Sequence, residues 1–190
     1  MTTLLGGTFN PPHNGHVALA RAAAEQFGDE VVVLVTARPG HKEVELDAER
    51  RLELARAAFP DREVELDPYE RTVDMLTAAR WRNPLFVIGA DEFCDFLSWK
   101  EPDEVLRLAR LAVATRPGFP QERLEPVLAS LQHPERVRFF EIEPTPVASR
   151  DLRARLEAGA DVRSEVPAGV AEIIDREGLY GRPRGYNPAS

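Results

Sequence analysis

The chain has a single cysteine, Cys94, among 190 residues. An intrachain disulfide is therefore impossible, and a reducing, cytoplasmic setting is the expectation. Lysine is almost as scarce, with only Lys42 and Lys100. Nearly all the basic charge is arginine, a permanently charged, bidentate partner for phosphate. No apolar run approaches membrane-spanning length, and no basic start leads into an apolar core, so neither a membrane span nor a secretory signal is expected. Basic residues are outnumbered, 24 against 32 acidic ones, for a formal charge of −8. That balance argues against a general nucleic-acid binder, and any phosphate ligand must meet positive charge that is concentrated locally. What is present is ordinary for a globule: 43% hydrophobic and 29% charged residues, long enough to bury a core in one α/β domain.

Apolar patterning alternates along the chain between two periods. Residues 3–7 (TLLGG), 31–36 (VVVLVT), 63–66, 85–89 (LFVIG), 111–115 (LAVAT) and 137–142 read as strands. The second is β-branched and apolar on both faces, as in a parallel sheet covered on both sides. Helical spacing recurs at 15–27, 48–59, 72–81, 91–96, 102–110, 121–131, 149–158 and 167–177. Asp47 suits the N-cap of the second helix, and Pro60-Asp61 ends it. Strands alternating with helices predict an α/β fold: a Rossmann-like, doubly wound parallel sheet in three α/β/α layers, with a small C-terminal helical part. One domain over 1–180 is expected, followed by a disordered Gly- and Pro-rich tail, 181–190.

Residues 6–16 (GGTFNPPHNGH) lie between the first strand and the first helix, where open α/β sheets bind ligands. Gly6 and Gly7 let backbone approach a ligand closely, while Pro11 and Pro12 stiffen the loop. Gly15 and His16 begin a helix whose free N–H groups attract anions, and His13 and His16 can both donate to phosphate oxygens there. No GK[ST] follows, and no G-x-G-x-x-G occurs, so neither the P-loop nor the dinucleotide fingerprint applies. Two other readings stand beside the phosphate site. One is a turn with two surface histidines. The other is half of a metal site, although no Cys, Asp or Glu lies close enough in sequence to complete it.

The same segment resembles the signature of the HxGH nucleotidylyltransferase superfamily. The rest of the chain, from residue 4 to about 180, is similar to its bacterial nicotinate-nucleotide adenylyltransferase branch. The matching pieces are PGHK (39–42), RTVDML (71–76), IGADEF (88–93), SWK (98–100), RPG (116–118), VASRDLRARLEAGADVRSEVP (147–167) and EGLY (177–180). Each is weak singly, whereas their order and spacing are specific.

The resemblance implies transfer of the adenylyl group of ATP to nicotinic acid mononucleotide. The attacking phosphate oxygen is already ionised, so alignment and charge neutralisation carry the catalysis, with neither general base nor covalent intermediate. His13, His16 and Arg153 are the implied catalytic residues. Gly6, Gly7, Thr8, Phe9, Lys42, Gly89, Asp91, Ser149 and Arg150 join them around ATP, with Asp91 accepting from a ribose hydroxyl. Without the resemblance, Asp91 reads equally well as a helix N-cap. Thr72 and Trp99 are implied to hold the acceptor, the indole stacking on its pyridine ring, with Tyr69 and Arg71 beside them. Mg2+ is expected to arrive with ATP, leaving no dedicated protein metal site. The implied partners are ATP and a pyridine mononucleotide, with no nucleic acid and no membrane; a homo-oligomer is left open.

Two departures mark the chain. Where the family resembles ISSTxIR, the sequence is VASRDLR (147–153), with Ala148 for a serine and Arg150 for the threonine. Ser149 still suits an N-cap, and Arg150 either replaces a hydroxyl–phosphate bond, retunes the site, or points to solvent. Arg71 stands where the family has an aromatic. Both leave open a sister enzyme with another acceptor phosphate or CTP. A third hypothesis is a nucleotide-binding module without catalysis, against which His13, His16 and Arg153 weigh.

Overall fold

The computed structural model describes residues 2–28, 30–40 and 44–181. Six strands form one parallel sheet: β1 (Thr3–Gly7), β2 (Val31–Thr36), β3 (Glu63–Asp67), β4 (Leu85–Gly89), β5 (Arg110–Thr115) and β6 (Val137–Glu141), in the order β3-β2-β1-β4-β5-β6. The order reverses direction between β1 and β4. Crossovers on the two sides of that seam wind in opposite senses and leave a crevice at the carboxyl ends of the strands.

Successive residues of a strand point to opposite faces, so each strand feeds two cores. Leu5, Val33 and Val87 face one core, together with α1 (Asn14–Phe27), α2 (Ala48–Ala58), α7 (Ser149–Glu157) and α8 (Ala168–Glu177). Leu4, Val32 and Phe86 face the other, with α3 (Thr72–Ala78), α4 (Ala90–Cys94), α5 (Pro102–Leu108) and α6 (Glu125–Ser130). The three-layer expectation holds. The two C-terminal helices do not stand apart: Leu152, Leu156, Val170 and Ile174 are buried with Leu5 and Val33.

Differences from the sequence reading sit at helix ends. The helix expected over 72–81 stops at Ala78, because Ala79 is extended (φ −68°, ψ 149°) and Arg80 turns back to Glu63 and Glu65 of β3. The helix expected over 121–131 is a 3-10 turn (Gln121–Arg123) followed by α6, with Pro126 at its first turn; a proline lacks the N–H that a continuous helix would need there. Ser149 is not the N-cap of α7; that place belongs to Ala148, and the Ser149 hydroxyl is committed elsewhere. Gly181 belongs to a closing 3-10 turn (Leu179–Gly181); the rest of the tail lies outside the described residues. Among the described residues, no helix is long and apolar enough to cross a membrane.

Candidate active site

A cavity of about 660 Å3 opens at the carboxyl ends of β1, β2, β3 and β4. Its wall includes Gly6, Gly7 and Thr8 from the end of β1 and the loop beyond, and Asp91 from α4. The four residues expected around the acceptor, Tyr69, Arg71, Thr72 and Trp99, line the same cavity. Segments some thirty residues apart are brought together because β3 and β4 both end here.

Trp99 is held edge-on against Phe96 (5.2 Å between ring centroids) and Phe86 (6.4 Å). Arg71 pairs with Glu70 at 2.9 Å, and Lys100 with Asp74 at 2.9 Å. Asp91 accepts from Arg116 and Arg123, each at 3.3 Å. It is the second residue of α4, whose N-cap is Gly89, so the capping alternative for Asp91 does not hold. Asp67, the last residue of β3, also lines the cavity, and burial pushes its carboxyl above the usual range. Lys42 lies outside the described residues.

The histidine end of the loop lies beside this cavity, not in its wall. His13 is only 8% exposed, which removes the surface-histidine reading. Its ring stacks on that of His16, with centroids 3.7 Å apart. The His13 N–H donates to His16 Nδ1 at 3.2 Å, capping α1. A ring nitrogen that accepts carries no proton, so neutral His16 is the Nε2–H tautomer. Phe9 does not line the crevice; the whole residue is 1% exposed, and its ring turns into the core, edge-on to His16 (5.0 Å) and Phe59 (5.8 Å). The motif's glycines are needed for this packing. A Cβ on Gly7 would stand 2.9 Å from Phe9 Cζ, and one on Gly15 would stand 3.0 Å from His13 Nδ1.

The carbonyl groups of the loop are held from behind. Arg153 donates to Asn10 O (2.8 Å) and to Glu45 (2.9 Å), and Ser149 Oγ donates to Pro11 O (2.8 Å). Tyr180 OH donates to Asn10 Oδ1 (2.8 Å). Arg51 donates to Thr8 O (3.0 Å). The two motif residues Ser149 and Arg153 thus carry the N-terminus of α7 onto the loop before α1. Arg150 is exposed at the second position of α7. A cation there opposes the helix dipole, so it does nothing for the helix itself.

Sequence reasoning did not single out Arg51, Asp67, Asn10 or Tyr180. Arg51 had a signal: it shares with Leu54, Ala55 and Ala58 the 3–4 residue spacing of the buried face of α2. Asn10 and Tyr180 meet across 170 residues, for which no local signal exists. Among the described residues, no three His, Cys, Asp or Glu side chains come together to hold a metal ion.

The burial of His13 has a measurable consequence. Desolvation lowers its pKa from 6.5 to about 4. The unfolded chain takes up the proton below about pH 6.5, whereas the folded chain resists until about pH 4. Stability is therefore lost as pH falls through that window and is fully present above it; the loss between pH 7.5 and 5 is about 2 kcal/mol. In urea unfolding at the two pH values, His13→Gln should lose less than the wild type by about that amount. Identical pH dependence in both proteins would contradict the burial of the imidazole.

A doubly wound parallel sheet, with a glycine-rich loop and two histidines at its topological switch, is the architecture of an α/β nucleotidyltransferase. The cytidylyltransferase-like family matches residues 4–155. A "probable nicotinate-nucleotide adenylyltransferase" of Rubrobacter xylanophilus is 36% identical, over 93% of this chain and 90% of its own. One of Thermus thermophilus is also 36% identical, over 93% and 97%. The chain belongs to the cytidylyltransferase-like nucleotidyltransferases, in the nicotinate-nucleotide adenylyltransferase family. In fold it is similar to the Plasmodium falciparum nicotinic acid mononucleotide adenylyltransferase complexed with NaAD (TM-score 0.73, 16% identity, 96% of this chain and 98% of that one).

Proposed function

We propose that this nucleotidyltransferase moves the adenylyl group of ATP to nicotinic acid mononucleotide, with residues 1–180 acting as one domain. An acceptor phosphate oxygen attacks the α-phosphorus in line. The bond from that phosphorus to the bridging oxygen breaks, and pyrophosphate leaves with its electron pair. The products are nicotinate adenine dinucleotide and pyrophosphate. The nucleophile is ionised from the start, so the protein's part is to align two anions and to balance charge on the leaving group.

The observation that carries the acceptor class is the charge of the cavity. Asp67, Glu70, Asp91, Glu92 and Asp95 line it, against Arg71 and Lys100 among the described residues. An excess of carboxylates is a poor cradle for phosphate. It suits the cationic ring nitrogen of a pyridine mononucleotide, for which Trp99 offers an aromatic face, while the carboxylate of a nicotinate ring has Arg71 and Lys100 on the same wall. The phosphates then belong at the other end, where the N-terminus of α1 carries half-buried His16 with His13 stacked against it, and where Arg153 stands. The ATP carries its magnesium on phosphate and water oxygens.

A pyrophosphate-release assay tests this directly, crossing ATP and CTP with a panel of phosphorylated acceptors. Release is expected with ATP and nicotinic acid mononucleotide. Release only with CTP, or only with an acceptor lacking a pyridinium ring, would overturn the assignment. No release with any pair would leave a nucleotide-binding module.

A further inference from the structure

We propose that the buried guanidinium of Arg51 is a positioning residue for the triphosphate. It locks the nucleotide loop at Thr8, which lines the cavity, to the end of β2 at Thr36 and Ala37 and to Leu46 ahead of α2. This rests on the adenylyl-transfer reading above.

Arg51 projects from α2 and is 1% exposed. Four of its five N–H groups have carbonyl acceptors: Nε donates to Leu46 O (3.2 Å), Nη1 to Thr8 O (3.0 Å) and Thr36 O (2.7 Å), and Nη2 to Ala37 O (3.1 Å). None of these acceptors is a carboxylate. Burying a cation against carbonyl dipoles alone is expensive, and burial pulls its pKa down, with Tyr180 and Asp47 opposing that. An apolar residue would cost the helix less at this position, so packing does not explain an arginine here.

The identity of the four acceptors does explain it. Thr8 belongs to the loop between β1 and α1. Thr36 and Ala37 end β2, and Leu46 leads into α2. Ala37 and Leu46 bracket a segment whose Pro39 and Gly40 line the cavity. One planar fork therefore joins the two segments that meet at the crevice. The Thr8–Phe9 peptide is trans, since only Asn10–Pro11 is cis among the described residues. In a trans peptide the N–H lies opposite the carbonyl, so a Thr8 carbonyl held by Arg51 sends the Phe9 N–H the other way. Phe9 is also left-handed (φ 50°), a conformation an aromatic residue adopts only when its surroundings impose it. Its buried ring fixes one side of that residue and the Thr8 clamp fixes the other.

Arg51→Lys keeps a charge but has a single nitrogen and no fork. With ATP and nicotinic acid mononucleotide, its kcat should fall by about 100-fold, the scale of a misplaced reacting group. The KM for the mononucleotide should change less than about threefold, because Trp99 and Thr72 are untouched. A merely structural role would lower the fraction of folded enzyme and leave both constants of that fraction alone, as thermal unfolding followed alongside would reveal. A kcat within threefold of wild type overturns the proposal. The second measurement uses the wild type only: the amide resonance of Thr8, the clamped residue that lines the cavity, should move in 15N-labelled protein on addition of MgATP. An unmoved Thr8 amide overturns the proposal, even if the lysine variant fails to fold. A wild type that releases no pyrophosphate defeats the adenylyl-transfer reading instead, and the amide measurement still decides the role of Arg51.

Discussion

Replacing His16 by alanine is expected to lower kcat by about 100- to 1,000-fold, the cost of losing one donor aimed at developing charge, with a much smaller loss of ATP affinity. The ring is locked before substrate arrives. It stacks on His13 at 3.7 Å, meets Phe9 edge-on at 5.0 Å, and accepts from the His13 N–H at 3.2 Å. With Nδ1 occupied in this way, the proton resides on Nε2, which is where a donor to phosphate oxygen has to be. Charge grows on the leaving pyrophosphate only as the bond to the α-phosphorus breaks. A preset donor therefore helps the transition state more than it helps binding. His16→Ala also removes the acceptor that caps α1, which costs about 1 kcal/mol of stability. His16→Asn separates the two effects, because its amide oxygen can accept the same N–H without reproducing Nε2. An equal loss of kcat in both variants assigns the loss to the donor. Turnover within a few-fold of wild type in either would defeat this account of the chemistry.

Trp99→Ala should raise the KM for the mononucleotide by about 10- to 100-fold, the range of one lost aromatic–base stack, with a smaller change in kcat. Phe96 and Phe86 hold the indole edge-on, and the ring also borders the cavity. Its plane is thus set by the core behind it, not by the ligand. The pyridine ring nitrogen of the mononucleotide is cationic, and an electron-rich aromatic face favours it. The alanine variant also loses contacts with the core, so thermal unfolding must accompany the kinetics. Trp99→Phe keeps most of the packing and part of the stacking, and should fall between the two proteins in KM. An unchanged KM in the alanine variant would remove Trp99 from the acceptor site.

Much of this architecture is legible from local pattern. The strand reading of 31–36 coincides with β2, and that of 85–89 with β4, because a run apolar on both faces fits little except an interior parallel strand. The loop at 6–16 is equally legible as the junction of β1 and α1, since its glycines, prolines and histidines are contiguous. Helix ends are less so. Ser149 reads as a cap, yet its hydroxyl serves Pro11, 138 residues away. α3 stops at Ala78, where Ala79 is extended and Arg80 pairs with Glu63 and Glu65, a pairing that depends on how β3 lies beside that helix.

The site divides along the same line. Tyr69, Arg71, Thr72 and Trp99 enter the sequence reading only through resemblance, and the fold gathers them because β3 and β4 end at one crevice. Arg116 and Arg123 on Asp91, and Tyr180 on Asn10, have no counterpart in any local spacing.

The amino-acid sequence by itself determined the alternation of strands and helices and the position of the glycine- and histidine-rich loop at the first strand–helix junction. Hydrophobic period and turn chemistry act over a few residues, so they can be read in order along the chain. Only the tertiary structure decided that His13 is buried and neutral, that Phe9 turns inward, and that Arg51, Ser149 and Arg153 grip the back of the loop. Those outcomes depend on α2 and α7 returning from far along the chain to pack against β1 and α1. A side chain's burial, charge state and hydrogen-bond partners follow from that packing.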